Sequence, residues 1–149
     1  MKIRLSSPAD NDALLAIGHK FFQHNPYRHD STLDEASLLE TFDDLRTNHV
    51  LLVCEVDGKV VGTAAAYIMP LFWNKSQKQG LEIFWWIDEE HRGNGAGTKL
   101  RQQLQKQAKL RGANFWNMAA LEDSMPDVVG AMYEKAGFKP VERIYMKAI

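Results

Sequence analysis

Residues 81–98 constrain this 149-residue chain more than any other stretch. Leu81–Ile87 is an apolar run interrupted only by Glu82, the pattern of a strand covered on both faces. Asp88-Glu89-Glu90-His91 is a polar turn. Gly93, Gly95 and Gly97 then stand at alternate positions, and a helical pattern runs from Thr98 to Arg111 with Leu100 and Leu104 inward. A strand, a glycine-rich turn and a helix N-terminus in direct succession form an anion cradle. Glycines let the backbone approach a ligand closely, and the free N–H groups of the first turn attract phosphate.

Three phosphate-binding loops share that outline and differ in spacing. The P-loop of nucleotide hydrolases ends Gly-Lys-Ser/Thr; here Gly97-Thr98-Lys99 has the wrong order. The dinucleotide loop is Gly-x-Gly-x-x-Gly; Thr98 stands where its third glycine belongs. The segment Arg92-Gly93-Asn94-Gly95-Ala96-Gly97 matches the third, Arg/Gln-x-x-Gly-x-Gly/Ala. In this the chain resembles the GNAT superfamily of acyl-CoA-dependent N-acyltransferases, whose pyrophosphate signature that is. Tyr133-Glu134-Lys135-Ala136-Gly137-Phe138 is similar to the family's Tyr-Glu-Lys-x-Gly-Phe segment. One position departs: an Asn commonly stands seven residues before that Tyr and touches the pantetheine arm. Here it is Pro126, so that contact is not carried over.

Taken in order, the chain reads β-α-α-β-β-β-α-β-α-β. Met1–Leu5 is a short strand and Ser6–Asp10 a capping turn. Leu14, Leu15, Ile17, Phe21 and Phe22 mark a helix over 11–23, ended by Asn25-Pro26. Leu38, Leu39, Phe42 and Leu45 mark a second, from Leu33 to Thr47. Val50–Val56 and Lys59–Ile68 flank Asp57-Gly58, a strong hairpin signal. After the glycine loop and its helix, Asn114–Leu121 reads as a strand. Ser124 to Asp127 resembles a capping box opening a helix to Ala136, and Val141–Lys147 reads as the last strand. The expectation is an α/β chain, one domain over 1–149, with a single mixed central sheet flanked by helices. The GNAT fold has the same order.

Composition excludes several classes. The net charge of −1 leaves no overall field for nucleic acid. Residues 1–90 carry 8 Lys/Arg and 14 Asp/Glu, and 91–149 carry 10 and 5. That asymmetry suits a protein meeting a cation on one side and an anion on the other, and chance also produces it. Cys54, the one cysteine, permits no internal disulfide. No apolar run approaches the roughly 18 residues of a membrane span, and no signal segment precedes the first strand. A cytoplasmic protein without membrane contact is the expectation, and a homodimer is compatible with the sequence.

The resemblance implies acetyl-CoA, or another acyl-CoA, as donor and an amine of a small molecule or protein as acceptor, without a metal. It places the pyrophosphate on Gly93, Asn94, Gly95, Ala96, Gly97 and Thr98, with Arg92 adding charge, and the pantetheine arm along Trp86 and Ile87. Ile87 N–H is placed to polarise the thioester oxygen. Tyr133 matches the family's general acid. Glu82 is the only charge in its strand and fits a general base, one residue nearer the loop than in family members with a catalytic glutamate. A bulge would absorb that offset. A structural carboxylate paired with a buried cation is the other reading of Glu82. His24 and His29 are weaker base candidates. Phe22, Tyr27 and Trp73 are candidates for the acceptor side, where the aromatic Met69–Gly80 loop either packs down or forms a pocket lip. The expected activity is N-acetyl transfer by direct attack in a ternary complex; the alternative is a non-catalytic acyl-CoA-binding module.

Overall fold

The computed structural model describes residues 1–149 as five strands and four helices. They are β1 (Lys2–Leu5), α1 (Asn11–Phe22), α2 (Glu35–Asn48), β2 (Val50–Val56), β3 (Lys59–Pro70), β4 (Lys78–Ile87), α3 (Ala96–Leu110), β5 (Ala113–Asn117) and α4 (Pro126–Lys135). The sheet order is β1-β2-β3-β4-β5; β4 and β5 are parallel and the other pairs antiparallel. This is the mixed sheet flanked by helices that the sequence predicts.

Local chemistry sets the early elements. Asp57 and Gly58 both have positive φ, 49° and 77°, the combination a two-residue hairpin needs to match the strand twist. The Arg4 guanidinium donates to Asp10 at 2.8 and 2.9 Å and to Glu55 at 3.1 Å. Mainly through Arg4, the Asp10 carboxyl is held down at about 2. Helices α1 and α2 cover one sheet face through Leu14, Phe42 and Leu45 against Leu51, Val53 and Ala65. Helix α3 covers the other through Ala96, Leu100 and Leu104 against Leu52, Ala64 and Ile87.

Two features of β4 shape what lies on it. Ala65 pairs with Phe84 and Ala66 with Glu82, which leaves Ile83 as an extra residue. The bulge that the spacing of Glu82 called for is therefore present. The second feature is how briefly β5 accompanies β4. Pairing covers Lys78–Leu81 only. From Glu82 onward the far edge of β4 has no strand beside it.

Three expectations are corrected. The strand expected over Asn114–Leu121 stops at Asn117, where its partner diverges. The Ser124 capping box does not form: α4 begins at Pro126 after Met125, which has φ 49° and makes no side-chain cap. Val141–Lys147 is not a strand. Val141, Ile144 and Tyr145 are exposed, and no residue beyond Phe138 enters a backbone hydrogen bond outside regular elements. Strand propensity describes side chains that suit a sheet, and without a partner strand it builds nothing.

Gly62 lies beneath the open part of β4. A Cβ there would sit 2.7 Å from the Trp86 carbonyl oxygen and 2.4 Å from Ile87 Cδ1. Gly62→Ala is expected to lower stability by about 1–3 kcal/mol, read as a reduced urea midpoint with an unchanged slope. An unchanged midpoint would contradict this packing of β3 on β4.

Candidate active site

Where β4 and β5 part, a cleft of about 550 Å³ opens. Ile83, Trp85 and Ile87 form one wall and Ala119, Ala120 and Leu121 the other. Val128, Val129 and Met132 of α4 close one side, and Phe21 and Asn25 reach it from α1 and the turn that follows. The Arg92, Gly93, Gly95, Gly97 and Thr98 positions rim one end.

That rim is built as an anion cradle. Gly93 and Gly95 have φ of 80° and 84°, a left-handed backbone that side chains resist. Asn94 folds its side chain back to accept from Ala96 N–H at 3.0 Å. Gly97 and Thr98, in the first turn of α3, find no acceptor in the chain. Free donors at a helix N-terminus favour an anion. Arg92 braces the turn rather than reaching forward. Its Nε donates to Ile87 O at 2.8 Å and its guanidinium lies 4.5 Å from the Trp86 ring centroid.

Glu82 lies in the cleft wall and is 6% exposed. Cross-strand partners share a face, so the bulge puts Glu82 with Trp85 and Ile87, opposite Ala66, Ala64 and Gly62. Its Oε2 accepts from Ala119 N–H at 3.1 Å. Burial pushes the carboxyl up to about 7, and the Ala119 N–H opposes that only in part. No cation pairs with it. Tyr133, on α4, donates its hydroxyl proton to Ala119 O at 2.8 Å and accepts from Trp85 Nε1–H at 3.1 Å. Ala119 therefore ties the candidate base and the candidate acid together, one at each of its backbone groups. Burial, and then the Glu82 charge, raise the Tyr133 hydroxyl well above its ordinary value, while Trp85 and Arg101 pull it back. Arg101 is itself buried; its guanidinium lies 5.7 Å from the Phe138 ring centroid, and its Nε has no hydrogen-bond partner.

Other sequence candidates sit elsewhere. Trp86 points to the opposite sheet face, where its ring meets Phe21 and His24 and its Nε1–H donates to Asp88 at 3.0 Å. Phe22, Tyr27 and Trp73 do not line the cleft, and Tyr27 and Trp73 are exposed. Phe72 and Trp73 meet edge to face at the tip of the β3–β4 hairpin. Phe21 and Asn25 take the place expected of Phe22 and Tyr27. Trp85 and Ala119 carry no sequence signal of their own. Trp85 reads as one more apolar strand residue, and Ala119 acts through its backbone.

A model of the acetyltransferase (GNAT) family matches residues 14–138. The chain belongs to the GNAT acetyltransferase family. It is an acyltransferase, as the sequence resemblance implied, and GNAT enzymes use acetyl-CoA. Solved structures share the fold end to end. A ribosomal-protein-alanine N-acetyltransferase from Brucella melitensis biovar Abortus 2308 is 19% identical with a TM-score of 0.78, over 100% of both chains. An aminoglycoside acetyltransferase from an uncultured soil metagenomic sample, solved with sisomicin, is 16% identical with a TM-score of 0.75, over 99% of this chain and 96% of that one. A Clostridium acetobutylicum protein described as a predicted acetyltransferase, solved with acetyl-CoA, is 20% identical with a TM-score of 0.75, over 99% and 95%. No curated protein sequence matches the chain. No helix is long and apolar enough to cross a membrane.

The buried carboxyl has a consequence for stability. Glu82 rises from an ordinary 4.5 to about 7 on folding, so the folded state binds its proton more tightly than the unfolded chain. Its ionisation therefore erodes stability as pH rises through that window, by on the order of 3 kcal/mol once complete. Glu82→Gln removes the titration. Wild type is expected to lose stability relative to this variant between pH 4.5 and 7, measured by denaturant unfolding at several pH values. Parallel curves would mean that Glu82 does not titrate in that range.

Proposed function

We propose that this protein transfers an acetyl group from acetyl-CoA to a primary amine by direct attack in a ternary complex. The observation that carries the reading is the joint tether of Glu82, in the cleft wall, and Tyr133, behind the lining residues, to Ala119, which lines the same cleft whose rim is the anion cradle. The residues fit the co-substrate: free N–H groups at Gly97 and Thr98 for a pyrophosphate, then apolar walls for an extended arm. Bound acetyl-CoA would supply an activated thioester carbon and a thiolate leaving group.

The chain's own groups then have separate tasks. Asp88 N–H is bonded to Val61 O in β3. Backbone groups alternate sides along a strand, so Ile87 N–H faces away from β3, towards the cleft, as a donor to the thioester oxygen. An alkylamine has a pKa of about 10.4 and is almost wholly protonated at neutral pH. The ammonium first gives one proton to solvent, and Glu82, at about 7, accepts the second from the attacking nitrogen as the C–N bond forms, directly or through water. The C–S bond breaks, the sulfur keeps the electron pair, and Tyr133 gives it a proton. Glu82 returns its proton to Tyr133, and the chain gains and loses none overall. Cys54 is fully buried in β2, so no covalent acyl-enzyme step is assigned to it. The two neighbours with named substrates are called for a ribosomal-protein alanine and for aminoglycosides. For this chain we keep the acceptor at the class of primary amines.

A base at about 7 sets the pH dependence. The active form is the carboxylate, so kcat/KM, expressed per neutral amine, is expected to fall tenfold per pH unit below that point and to level off above it. Glu82→Gln should bind acetyl-CoA normally and lose that acid limb along with most of its turnover. Tyr133→Phe should cost about 10²–10⁴-fold in kcat while acetyl-CoA affinity, read by calorimetry, changes little. Equal loss of binding and turnover would make Tyr133 a cofactor contact. Tight acetyl-CoA binding without CoA release in the presence of any amine would make the protein a binding module instead.

A further inference from the structure

Trp85 joins the two working ends of the cleft. Its ring lies against the first turn of α3: a Cβ on Gly97 would meet Trp85 Cζ3 at 2.8 Å. Its Nε1–H donates to Tyr133 Oη at 3.1 Å. The same residue thus packs against the cradle and holds the oxygen of the candidate acid. Trp86, its neighbour, faces the other side of the sheet, where its ring meets Phe21, His24 and the Arg92 guanidinium, and it makes no bond to Tyr133.

The hydrogen-bond directions matter. A phenol oxygen has one proton to give and lone pairs to receive. Here the proton goes to Ala119 O, and one lone pair takes the indole N–H. To reach a leaving sulfur the proton must swing away from Ala119 about the Cζ–Oη bond. During that rotation only the indole N–H fixes the oxygen. When the proton leaves, Oη becomes an anion, and a donor already aimed at it needs no reorganisation. We propose that Trp85 is the positioning residue of the transfer, its indole N–H holding the Tyr133 hydroxyl oxygen in place as the hydroxyl proton turns from Ala119 O to the departing sulfur. The small Gly97 is what lets the indole ring come near enough to α3 to make that bond, so the spacing of the glycine loop serves the acid as well as the cradle.

The kinetic part rests on the transfer reading above, and the hydrogen bond stands apart from it. Trp85→Phe keeps a ring beside Gly97 and removes the donor. It is expected to lower kcat about fivefold to tenfold and to leave the KM for acetyl-CoA within about twofold. In a Tyr133→Phe background the same change is expected to cost nothing further, because the partner is already gone. An additive loss in the double variant would make Trp85 a packing residue and overturn the proposal. A raised KM with kcat unchanged would make it a cofactor contact and overturn it too. The bond is read without turnover from the Trp85 indole N–H resonance of the full-length protein. That resonance is expected to move upfield in Tyr133→Phe, a variant that leaves Trp85 in place. An unmoved resonance overturns the proposal. A wild-type protein that turns over no amine counts against the transfer reading, and an upfield shift then still establishes the bond.

Discussion

The parting of β4 from β5 after Leu81 is the constraint on which the site depends. A strand edge presents a row of backbone donors and acceptors that must be satisfied. From Glu82 to Ile87 the far edge of β4 has no partner strand. That makes the cleft a gap in a sheet, sized for something extended that can complete it. The other parts gather around the gap. The glycine turn follows directly from the end of β4, Ala119 lies just past the end of β5, and α4 packs alongside.

The site is held at a cost in stability. A carboxylate kept in an apolar wall without a cation is expensive, and a single backbone N–H is a small return for it. Its one protein partner, the Ala119 N–H, needs an acceptor but not a charge, and a carboxamide would serve it as well. A strained or costly group in a cleft, next to a second perturbed group, points towards function. The second group is Tyr133, whose hydroxyl the same burial pushes further above its ordinary value. One carboxyl poised to take a proton and one phenol holding its own meet at Ala119, an arrangement that suits moving a proton from one reactant to the other.

Much of the fold was legible because it is encoded locally. Asp57-Gly58, the apolar β4 run and the glycine loop each act over a few residues. The stripes of α1 and α2 follow from spacing alone. What was not legible depends on partners. The end of β5 and the absence of a strand at Val141–Lys147 are decided by what lies alongside, which no local pattern records. The faces of β4 were hidden for a related reason. Simple alternation puts Glu82 on the side of Phe84 and Trp86. The extra residue at Ile83 reverses the parity and places it with Trp85 and Ile87. A reader of the sequence could suspect the bulge from the spacing to Arg92, but could not tell which tryptophan it would bring to Tyr133. The same limit explains Phe22, Tyr27 and Trp73: aromatic character marks a candidate, and only the path of the backbone says whether it reaches the cleft.

A crystal structure of the protein with CoA tests the central claim most directly. The account predicts the pyrophosphate on the Gly97 and Thr98 N–H groups and the pantetheine arm in the gap between β4 and β5. The sulfur should lie within about 3.5 Å of Tyr133 Oη, close enough to take its proton. A CoA bound elsewhere, or one whose sulfur points away from Tyr133 and Glu82, would contradict it.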